Sequence, residues 1–410
     1  MSEIGLTTGA APPERARNAT SESSVPLSHY VSPKPFDPYA VDAMTAAQER
    51  FYRAPPLLLM WWRLQRHRVA VVSGALLLAF YVIILFCEFL APYGLDSRHV
   101  DFIYAPPQRL RVIDNGSLAW PYVNGYRYRL DMTNLRRVYT PDPDKHQRIR
   151  FFCRADEYHY WGLIPGNFHL FCPAEGGQVF FLGTDRLGRD VLSRIIYGAR
   201  ISLTVGLIGV SVSFALGIII GGIAGYYGGW TDMFIQRAIE VIQSFPHIPL
   251  WMALSAVLPV TWSPILVYFG ITIILGLLDW PGLARAVRSK LLALREEDFV
   301  TAAVLMGAGP GRVISRHLLP SFTSHLIASA TLSVPGMIMG ETALSFLGLG
   351  LRPPVTSWGV LLNEAQNVNV VVLYPWLMLT VAPVLIVVLA FNFMGDGLRD
   401  AADPYSSARR

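Results

Sequence analysis

The stretch that decides the fold comprises residues 201–231, ISLTVGLIGVSVSFALGIIIGGIAGYYGGWT, and it contains no charged residue. About 18 consecutive apolar residues suffice to suggest a membrane-spanning helix. The apolar part of the stretch, Ile201–Tyr226, therefore predicts a span. Glycines in its second half offer small surfaces against which a neighbouring helix can pack closely: Gly217, Gly221, Gly222 and Gly225.

Composition extends this prediction to the whole chain of 410 residues. Hydrophobic residues make up 52% of it and charged residues only 15%, whereas soluble domains usually carry about 25% charged residues. The charges cluster at the chain ends and in two loops, which leaves further long apolar windows. We therefore predict an all-α polytopic membrane protein with about six transmembrane helices and a large extracytoplasmic loop.

The other spans follow from the same pattern. The charge-free window 241–278 is too long for one span, and Pro259, Ser263 and Pro264 mark a turn inside it because proline breaks helix hydrogen bonding. Pro246 and Pro249 are expected to kink the span before that turn. Beside Ile201–Tyr226, the predicted spans are Val69–Ala91, Ala238–Leu258, Pro264–Ala284, Ser321–Thr342 and Val368–Met394, with an interfacial or re-entrant stretch at Ser345–Asn367.

Basic residues indicate the orientation, since they favour the cytoplasmic side of a membrane. Arg63, Arg66 and Arg68 precede the first span, and the loop 285–320 is the most basic short loop. Both observations place the N-terminus in the cytoplasm. The predicted organisation is a disordered or loosely docked cytoplasmic tail (1–60), a first span (69–91), an extracytoplasmic loop or subdomain (92–200), a transmembrane core (201–394) and a cytoplasmic tail (395–410).

The loop 92–200 is polar, aromatic and rich in proline. Long loops cross the membrane despite their arginines, so this one is expected outside the cytoplasm and is long enough to fold as a subdomain. Cys153 and Cys172 would then lie in an oxidising compartment. A disulfide between them and two free thiols both remain open.

The sequence contains no recognisable catalytic constellation. It has no GxxxxGK[ST] phosphate loop, HExxH motif, GxSxG elbow, dinucleotide fingerprint or Cys/His spacing typical of zinc. The net charge of +5 comes from scattered basic residues, so we expect no nucleic-acid partner, and we also expect no catalytic residue, metal or cofactor in this chain. An alternative is a membrane-anchored enzyme or sensor that acts through residues 92–200.

The segment 298–320 is the most informative part of the loop 285–320. Thr301–Met306 favours a short helix, and the glycines and proline of residues 307–311 then force a turn. A second helical piece, Val313–Leu319, precedes Pro320. Such a helix can dock in the groove of a partner protein, although the spacing alone also fits an ordinary connector.

This segment resembles the EAA loop of binding-protein-dependent ABC importer permeases, E-A-A-x3-G-x9-I-x-L-P. Thr301 and His317 depart from that pattern at the Glu and Ile positions, and the ending Arg-His-x-Leu-Pro is that of the dipeptide/oligopeptide permease C-type branch. The positions that match are Ala302, Ala303, Gly307, Leu319 and Pro320, with Arg316 and His317 in the C-type ending.

Three further blocks resemble the same branch: Leu182–Arg194, Trp280–Arg288 and Glu341–Gly350. The long loop after the first span is similar to that of the Yej-type permeases. The resemblance implies the type I importer permease fold in the bacterial cytoplasmic (inner) membrane and transport of oligopeptides or related solutes. It implies as partners a homologous second permease, two ABC ATPase subunits that use the ATP, an extracytoplasmic solute-binding protein and the lipid bilayer. Val300–Gly307 would move with the ATPases.

Charged residues near the spans suggest gating or structural roles. Asp185, Arg189 and Asp190 belong to a block, Asp185–Arg194, that we predict to be an amphipathic helix on the outer surface. It would either dock a partner or form a solvated face. Glu341 lies at a position that the family shares, where capping, gating and substrate contact are all open. For Asp279, near the end of the fourth span, a structural role is expected.

Overall fold

The computed structural model describes residues 49–50, 53–114, 117–133, 136–259, 261–353 and 355–402. Residues 1–53 and 54–410 are separate units, and the second is described below. Most of the predicted tail, residues 1–60, lies outside the described residues. The prediction of a tail is wrong for Pro56–Met60, which belongs to a helix whose Met60 and Leu64 are buried.

Helices make up most of the described chain. A short 3-10 turn, Val100–Phe102, precedes the sheet, and the last helix begins with a 3-10 segment, Pro375–Thr380. The helices are α1 (Pro56–Arg66), α2 (Arg68–Leu85), α3 (Cys87–Leu90), α4 (Val191–Tyr227), α5 (Gly229–Gln243), α6 (His247–Ala256), α7 (Pro264–Leu294), α8 (Asp298–Leu305), α9 (Pro310–Ser321), α10 (Thr323–Phe346), α11 (Trp358–Glu364), α12 (Val368–Leu373) and α13 (Pro375–Ala402).

Among the residues that the structure describes, four helices are long and apolar enough to cross a membrane, namely α2, α4, α7 and α13. The pair α9 and α10, bent by 76°, counts as a fifth if it forms one span. The predicted third span, Ala238–Leu258, is wrong as a single helix. Residues 244–246 divide it into α5 and α6, because Pro246 cannot donate a backbone hydrogen bond and disfavours the helical conformation of Phe245.

The last predicted span also has different bounds. Val368–Met394 is interrupted at Tyr374, and the spanning helix is Pro375–Ala402. The predicted tail 395–410 is therefore helical as far as Ala402, and residues 403–410 lie outside the described ones. Likewise, α7 continues through Ala284 to Leu294, so the loop that we predicted at 285–320 begins only after Leu294.

The glycines of α4 bring its backbone against α7. A Cβ atom on Gly221 would lie 2.4 Å from the carbonyl oxygen of Ala284, and one on Gly225 would lie 2.9 Å from that of Arg288. Gly217 likewise faces Leu283. Gly222 differs, because the nearest atom to its Cβ position is a methyl group of Ile314 at 3.6 Å. The prediction of close helix packing therefore holds for three of the four glycines.

Gly221→Ala is expected to lower the melting temperature of the detergent-solubilised protein, because the new methyl group overlaps backbone atoms that cannot rotate away. Overpacking of this kind costs about 1–3 kcal/mol. Gly222→Ala is the matched control and is expected to be neutral or slightly stabilising, because Ala favours a helix by about 1 kcal/mol over Gly. Equal melting temperatures for the two variants would contradict the close contact.

The loop between α3 and α4 folds as an antiparallel sheet, which the sequence did not predict. Its strands, in the spatial order β1-β2-β3-β4, are β1 (Arg111–Asp114), β2 (Ser117–Asp131), β3 (Arg136–Tyr160) and β4 (Ile164–Pro173). Cys153 on β3 and Cys172 on β4 form a disulfide. The predicted loop boundary at Arg200 is wrong, since α4 already begins at Val191.

The sheet and the loop after α7 lie at opposite ends of the helix bundle. At the end that we call the sheet end, Ser193 in the first turn of α4 accepts a hydrogen bond from the backbone of Tyr93, 3.2 Å away. At the other end, the loop end, the last turns of α4 and α7 meet at Gly225 and Leu291. α8 packs there through Val300.

Candidate functional site

The short helix α8 is fixed to the bundle by two residues on one face. Val300 and Ala303 are each 2% exposed. Val300 belongs to a buried apolar cluster with Val287 and Leu291 of α7. Cluster members from α9 and α10 complete it: Val313, Leu318 and Leu326. The position of α8 is therefore tied to that of three longer helices.

A glycine ends α8 in a defined way. Gly307 has φ +85, a conformation that side chains with a Cβ rarely adopt. The backbone N–H of Ala308 donates to the carbonyl of Ala303 at 3.0 Å, and that of Gly307 donates to Val304 at 2.9 Å. This pair of bonds is the Schellman motif that commonly terminates helices. It explains why the family pattern has Gly at this position.

Apolar side chains beside the buried face of α8 and at its C-terminal end are uncovered. Leu305 is 83% exposed and Met306 is 80% exposed, and Phe299 and Val304 are exposed beside them. Exposed apolar patches on an otherwise ordered surface mark sites of protein interaction. We call Phe299, Val304, Leu305 and Met306 the α8 knob.

The remaining residues of the predicted coupling segment lie around α8 and α9. Thr301 and Ala302 are exposed on α8, while Arg316 and Pro320 are exposed on α9. His317 and Leu319 are half-buried, because Leu318 between them fills the buried cluster under α8. The structure thus brings the predicted residues together at the loop end.

A second group of predicted residues lies at the sheet end, and there the predicted surface helix is wrong. Asp185–Asp190 forms a tight turn, and only the end of the block enters α4. Oδ1 of Asp185 accepts hydrogen bonds from the backbone N–H groups of Leu187 at 2.8 Å and Arg189 at 2.9 Å. Its Oδ2 forms ion pairs with the side chains of Arg189 and Arg194. Asp190 caps α4 by accepting the N–H of Ser193 at 2.8 Å.

The charges of this block form a buried ion-pair network with Glu364 of α11. Arg194 donates to Asp185 at 2.6 Å and to both oxygens of Glu364, at 2.6 and 2.9 Å. Arg189 donates to Asp185 at 2.7 Å and to Glu364 at 3.2 Å. Because Asp185, Arg189 and Arg194 have oppositely charged partners, this part of the block can be buried, which the prediction of a solvated or docking surface did not foresee. Asp190 is held instead by two hydrogen bonds from Ser193.

Sequence reasoning missed Glu364, which lies 170 residues beyond Arg194 in the chain and in no motif. Burial alone would raise its pKa, but the guanidinium groups of Arg194 and Arg189 outweigh this and hold the pKa of Glu364 below its usual range. Glu364 is therefore ionised at neutral pH and ties α11 to the start of α4.

Glu341 is completely buried in α10 and is satisfied by hydroxyl groups. Ser345 Oγ donates to its Oε1 at 2.7 Å, and Ser202 Oγ of α4 donates to its Oε2 at 3.0 Å. Ser202 Oγ also accepts the backbone N–H of Trp358 at 3.2 Å. These contacts join α4, α10 and α11. Asp279 is half-buried in α7.

Sequence reasoning also missed two ion pairs at the helix ends. Arg200 of α4 pairs with Glu88 of α3 at 2.5 Å near the sheet, and Arg288 of α7 pairs with Asp232 of α5 at the loop end. Within the described ranges, no group of three or more His, Cys, Asp or Glu side chains is arranged to hold a metal ion.

Comparison with known proteins gives the family of the chain. Residues 217–406 match the family described as the inner membrane component of binding-protein-dependent transport systems, and residues 55–107 match the N-terminal transmembrane domain of oligopeptide transport permease C. The oligopeptide transport system permease protein OppC of Haemophilus influenzae is 42% identical over 234 residues, which cover 57% of this chain and 72% of that protein. The chain belongs to this permease family.

Other relatives are similar to the permease over the same extent. The dipeptide transport system permease protein DppC of Alkalihalophilus pseudofirmus is 41% identical over 55% of this chain and 71% of its own length. The glutathione transport system permease protein GsiD of Pectobacterium atrosepticum is 39% identical over 55% of this chain and 72% of its own length. A solved inward-facing MetNI methionine ABC transporter covers 51% of this chain and 97% of its own, with 17% identity and a TM-score of 0.39.

The permease is thus a multi-pass inner-membrane subunit of an ABC importer and not itself an enzyme. Membership implies ATPase and binding-protein partners in general. The relatives are named as permease subunits, which supports the permease role and not the enzyme or sensor alternative. Residues 108–216, which include the whole sheet, lie outside both matches.

Proposed function

We propose that the permease imports oligopeptides or related solutes that an extracytoplasmic binding protein delivers. It pairs with a homologous second permease, and two ABC ATPase subunits drive the pair. The relatives support this substrate class, because their names refer to oligopeptides, dipeptides and glutathione, itself a small peptide. The chain itself binds no cofactor, and the ATPase subunits use the ATP.

The α8 knob is the observation that carries the coupling role. A helix whose inner face is buried under Val300 and Ala303, while Leu305 and Met306 are exposed, has the form of a docking element. A partner that covers the knob can push or pull α8. Because Val300 packs in one buried cluster with residues of α7, α9 and α10, a displacement of α8 moves these three helices as well. Binding of the partner would thereby favour one of two packings of the helix bundle.

The distribution of charge and disulfide supports the orientation. Short segments at the loop end, before α2 and along the end of α7, are rich in arginine, as cytoplasmic segments are: Arg63, Arg66, Arg68, Arg285, Arg288 and Arg295. The arginines of residues 92–200 belong to a long loop, to which this rule does not apply. The Cys153–Cys172 disulfide lies in the sheet, and such bonds persist in oxidising compartments. We propose that the loop end faces the cytoplasm, that the sheet faces outward, and that both chain termini are cytoplasmic.

The test is uptake by the assembled importer in proteoliposomes, with its binding protein added outside and ATP inside. We expect ATP-dependent accumulation of labelled di- to pentapeptides, together with peptide-stimulated ATP hydrolysis. A labelled disaccharide and free methionine serve as controls and should not accumulate. Accumulation of either control in preference to every peptide would contradict the substrate class, and uptake without ATP would contradict the importer mechanism.

A further inference from the structure

The turn between β3 and β4 carries an apolar tip. Leu163 is 81% exposed and Ile164 is 65% exposed. Trp161 and Gly162, at φ +51 and +73, form the turn that projects them. Phe152 and Phe168 are exposed along the same hairpin. Exposed apolar side chains grouped in this way are typical of a surface that contacts a partner or a membrane.

The tip is fixed to the end of a membrane-spanning helix. Tyr160 Oη donates to the backbone carbonyl of Leu85 at 2.6 Å, and Trp161 Nε1 donates to the same oxygen at 3.2 Å. The backbone N–H of Trp161 also donates to Glu88 at 3.0 Å. Leu85 is the last residue of α2, so these bonds set the height of the hairpin relative to the bilayer.

The length of α2 places that height at the membrane boundary. Its 18 residues span about 27 Å at about 1.5 Å per residue, close to the roughly 30 Å thickness of the hydrocarbon core. With Arg68 at one boundary, Leu85 lies at the other. Tyr and Trp side chains are enriched at this depth because one end of each ring is polar and the rest apolar.

The tip is continuous with the surface of α2 that faces away from the bundle. The inner face of α2 is buried through Ala70, Ser73, Leu77 and Ile84. Its outer face is exposed and apolar, through Val71, Val72, Leu78, Val82 and Leu85. Phe86 at the end of this face contacts the ring of Tyr160, with centroids 6.3 Å apart. One apolar surface therefore runs from the span onto the hairpin.

Aromatic contacts make the hairpin a firm extension of that surface. Phe89 of α3 stacks with Phe168, at 6.0 Å between centroids, and lies 6.5 Å from Phe152. The guanidinium of Arg200 lies 4.3 Å from the centre of the Trp161 ring, which is a favourable cation–π distance. The hairpin is thus held at the bilayer boundary from the helix side while its tip stays free.

From these contacts we infer that the β3–β4 hairpin is an interfacial membrane anchor, whose tip at Leu163 and Ile164 lies in the boundary between lipid headgroups and acyl chains. The occupant of the apolar surface is lipid, not a protein partner, because the surface continues the lipid-facing side of α2. The inference rests only on the chain crossing the membrane. It gives the sheet, which lies outside the family matches, a fixed attachment to the bilayer.

The test uses the assembled importer in lipid nanodiscs with a single fluorescent label on Leu163→Cys. Cys87 is buried and the other two cysteines form a disulfide, so an environment-sensitive thiol dye reacts at the new site under non-reducing conditions. Leu118→Cys is the matched control, since Leu118 is 91% exposed and pairs with β1 at the opposite edge of the sheet. Ile164→Cys replaces Leu163→Cys if that variant does not accumulate.

We expect lipids with a nitroxide near the headgroup to quench the label at Leu163 at least about twofold more than the label at Leu118, as for a side chain within the interface. Iodide in the buffer should quench the label at Leu118 more strongly than the label at Leu163. Equal iodide quenching at both sites would mean that the tip lies in water and would overturn the inference. Protection from iodide without quenching by the nitroxide lipid would mean that a protein covers the tip and would also overturn it.

Discussion

Replacing both Leu305 and Met306 with glutamate is expected to abolish ATP-dependent uptake while leaving the permease folded. Both side chains are exposed on the α8 knob, so their loss costs the isolated chain little. In a complex they would be buried, and each buried apolar side chain contributes about 1.5–3 kcal/mol. Losing both, and placing two charges in a dry interface, should weaken ATPase binding by about 100-fold or more.

The measurements are co-purification of the ATPase subunits with the tagged permease and uptake in proteoliposomes. Thr301→Glu is the matched control. It places a charge on the same helix, at an exposed position where the family pattern has Glu, and should retain both ATPase binding and uptake. Normal uptake by the Leu305→Glu, Met306→Glu variant would show that α8 does not couple the permease to its ATPases.

Arg194→Ala is expected to have the largest effect on stability. Arg194 is 2% exposed and donates to both Asp185 and Glu364. Its removal leaves two buried carboxylates with Arg189 as their only common partner within the described network. Breaking a buried ion pair by deleting one partner typically costs about 3–5 kcal/mol. We expect a large fall in melting temperature, or loss of the folded protein from detergent extracts.

Arg186→Ala is the control for that substitution. Arg186 lies in the same turn but is exposed, and exposed substitutions usually change stability by less than about 0.5 kcal/mol. Thermal unfolding of both variants in the same detergent gives the comparison. If the two variants melted at the same temperature, the network would be of no consequence for stability.

The network also gives the direction of a pH dependence. The pKa of Glu364 is lower in the folded protein than its ordinary value of 4.5. Its contribution to stability is therefore fully present above that ordinary value and is lost as the pH falls through the lowered pKa. The stability difference between the parent and a Glu364→Gln variant should accordingly be largest near neutral pH and shrink in acid.

Sequence reasoning found the parts of the fold that depend on local composition. Charge-free windows gave α2, α4, α7 and most of α13, because a helix in lipid must satisfy its own backbone hydrogen bonds. It failed for the third span, where Pro246 separates two helices that a hydropathy window joins. It also failed for the sheet, because β3 is long, polar and interrupted by prolines, so that no strict alternation of residue types is visible.

The candidate sites also differ in whether local sequence is enough to find them. α8 could be found because its spacing and the Gly307 turn are local, and its motif fits a known pattern. The role of Asp185, Arg189 and Asp190 could not be found, because burial of their block depends on Glu364 from a distant helix. A charged segment looks solvated until its counter-charge is located in three dimensions.

The glycine contact between α4 and α7 limits how the permease can change shape. At Gly221, Gly225 and Gly276 the two backbones lie so close that an added Cβ atom would come within 3 Å of a carbonyl oxygen of the other helix. Sliding or rotating either helix would force side chains into that space, so the pair must travel as one rigid body. The rearrangement that opens and closes a path through the membrane then has to bend elsewhere. The breaks at Ser244–Pro246 and at Phe322 are the places where the helices flanking this rigid pair are already interrupted.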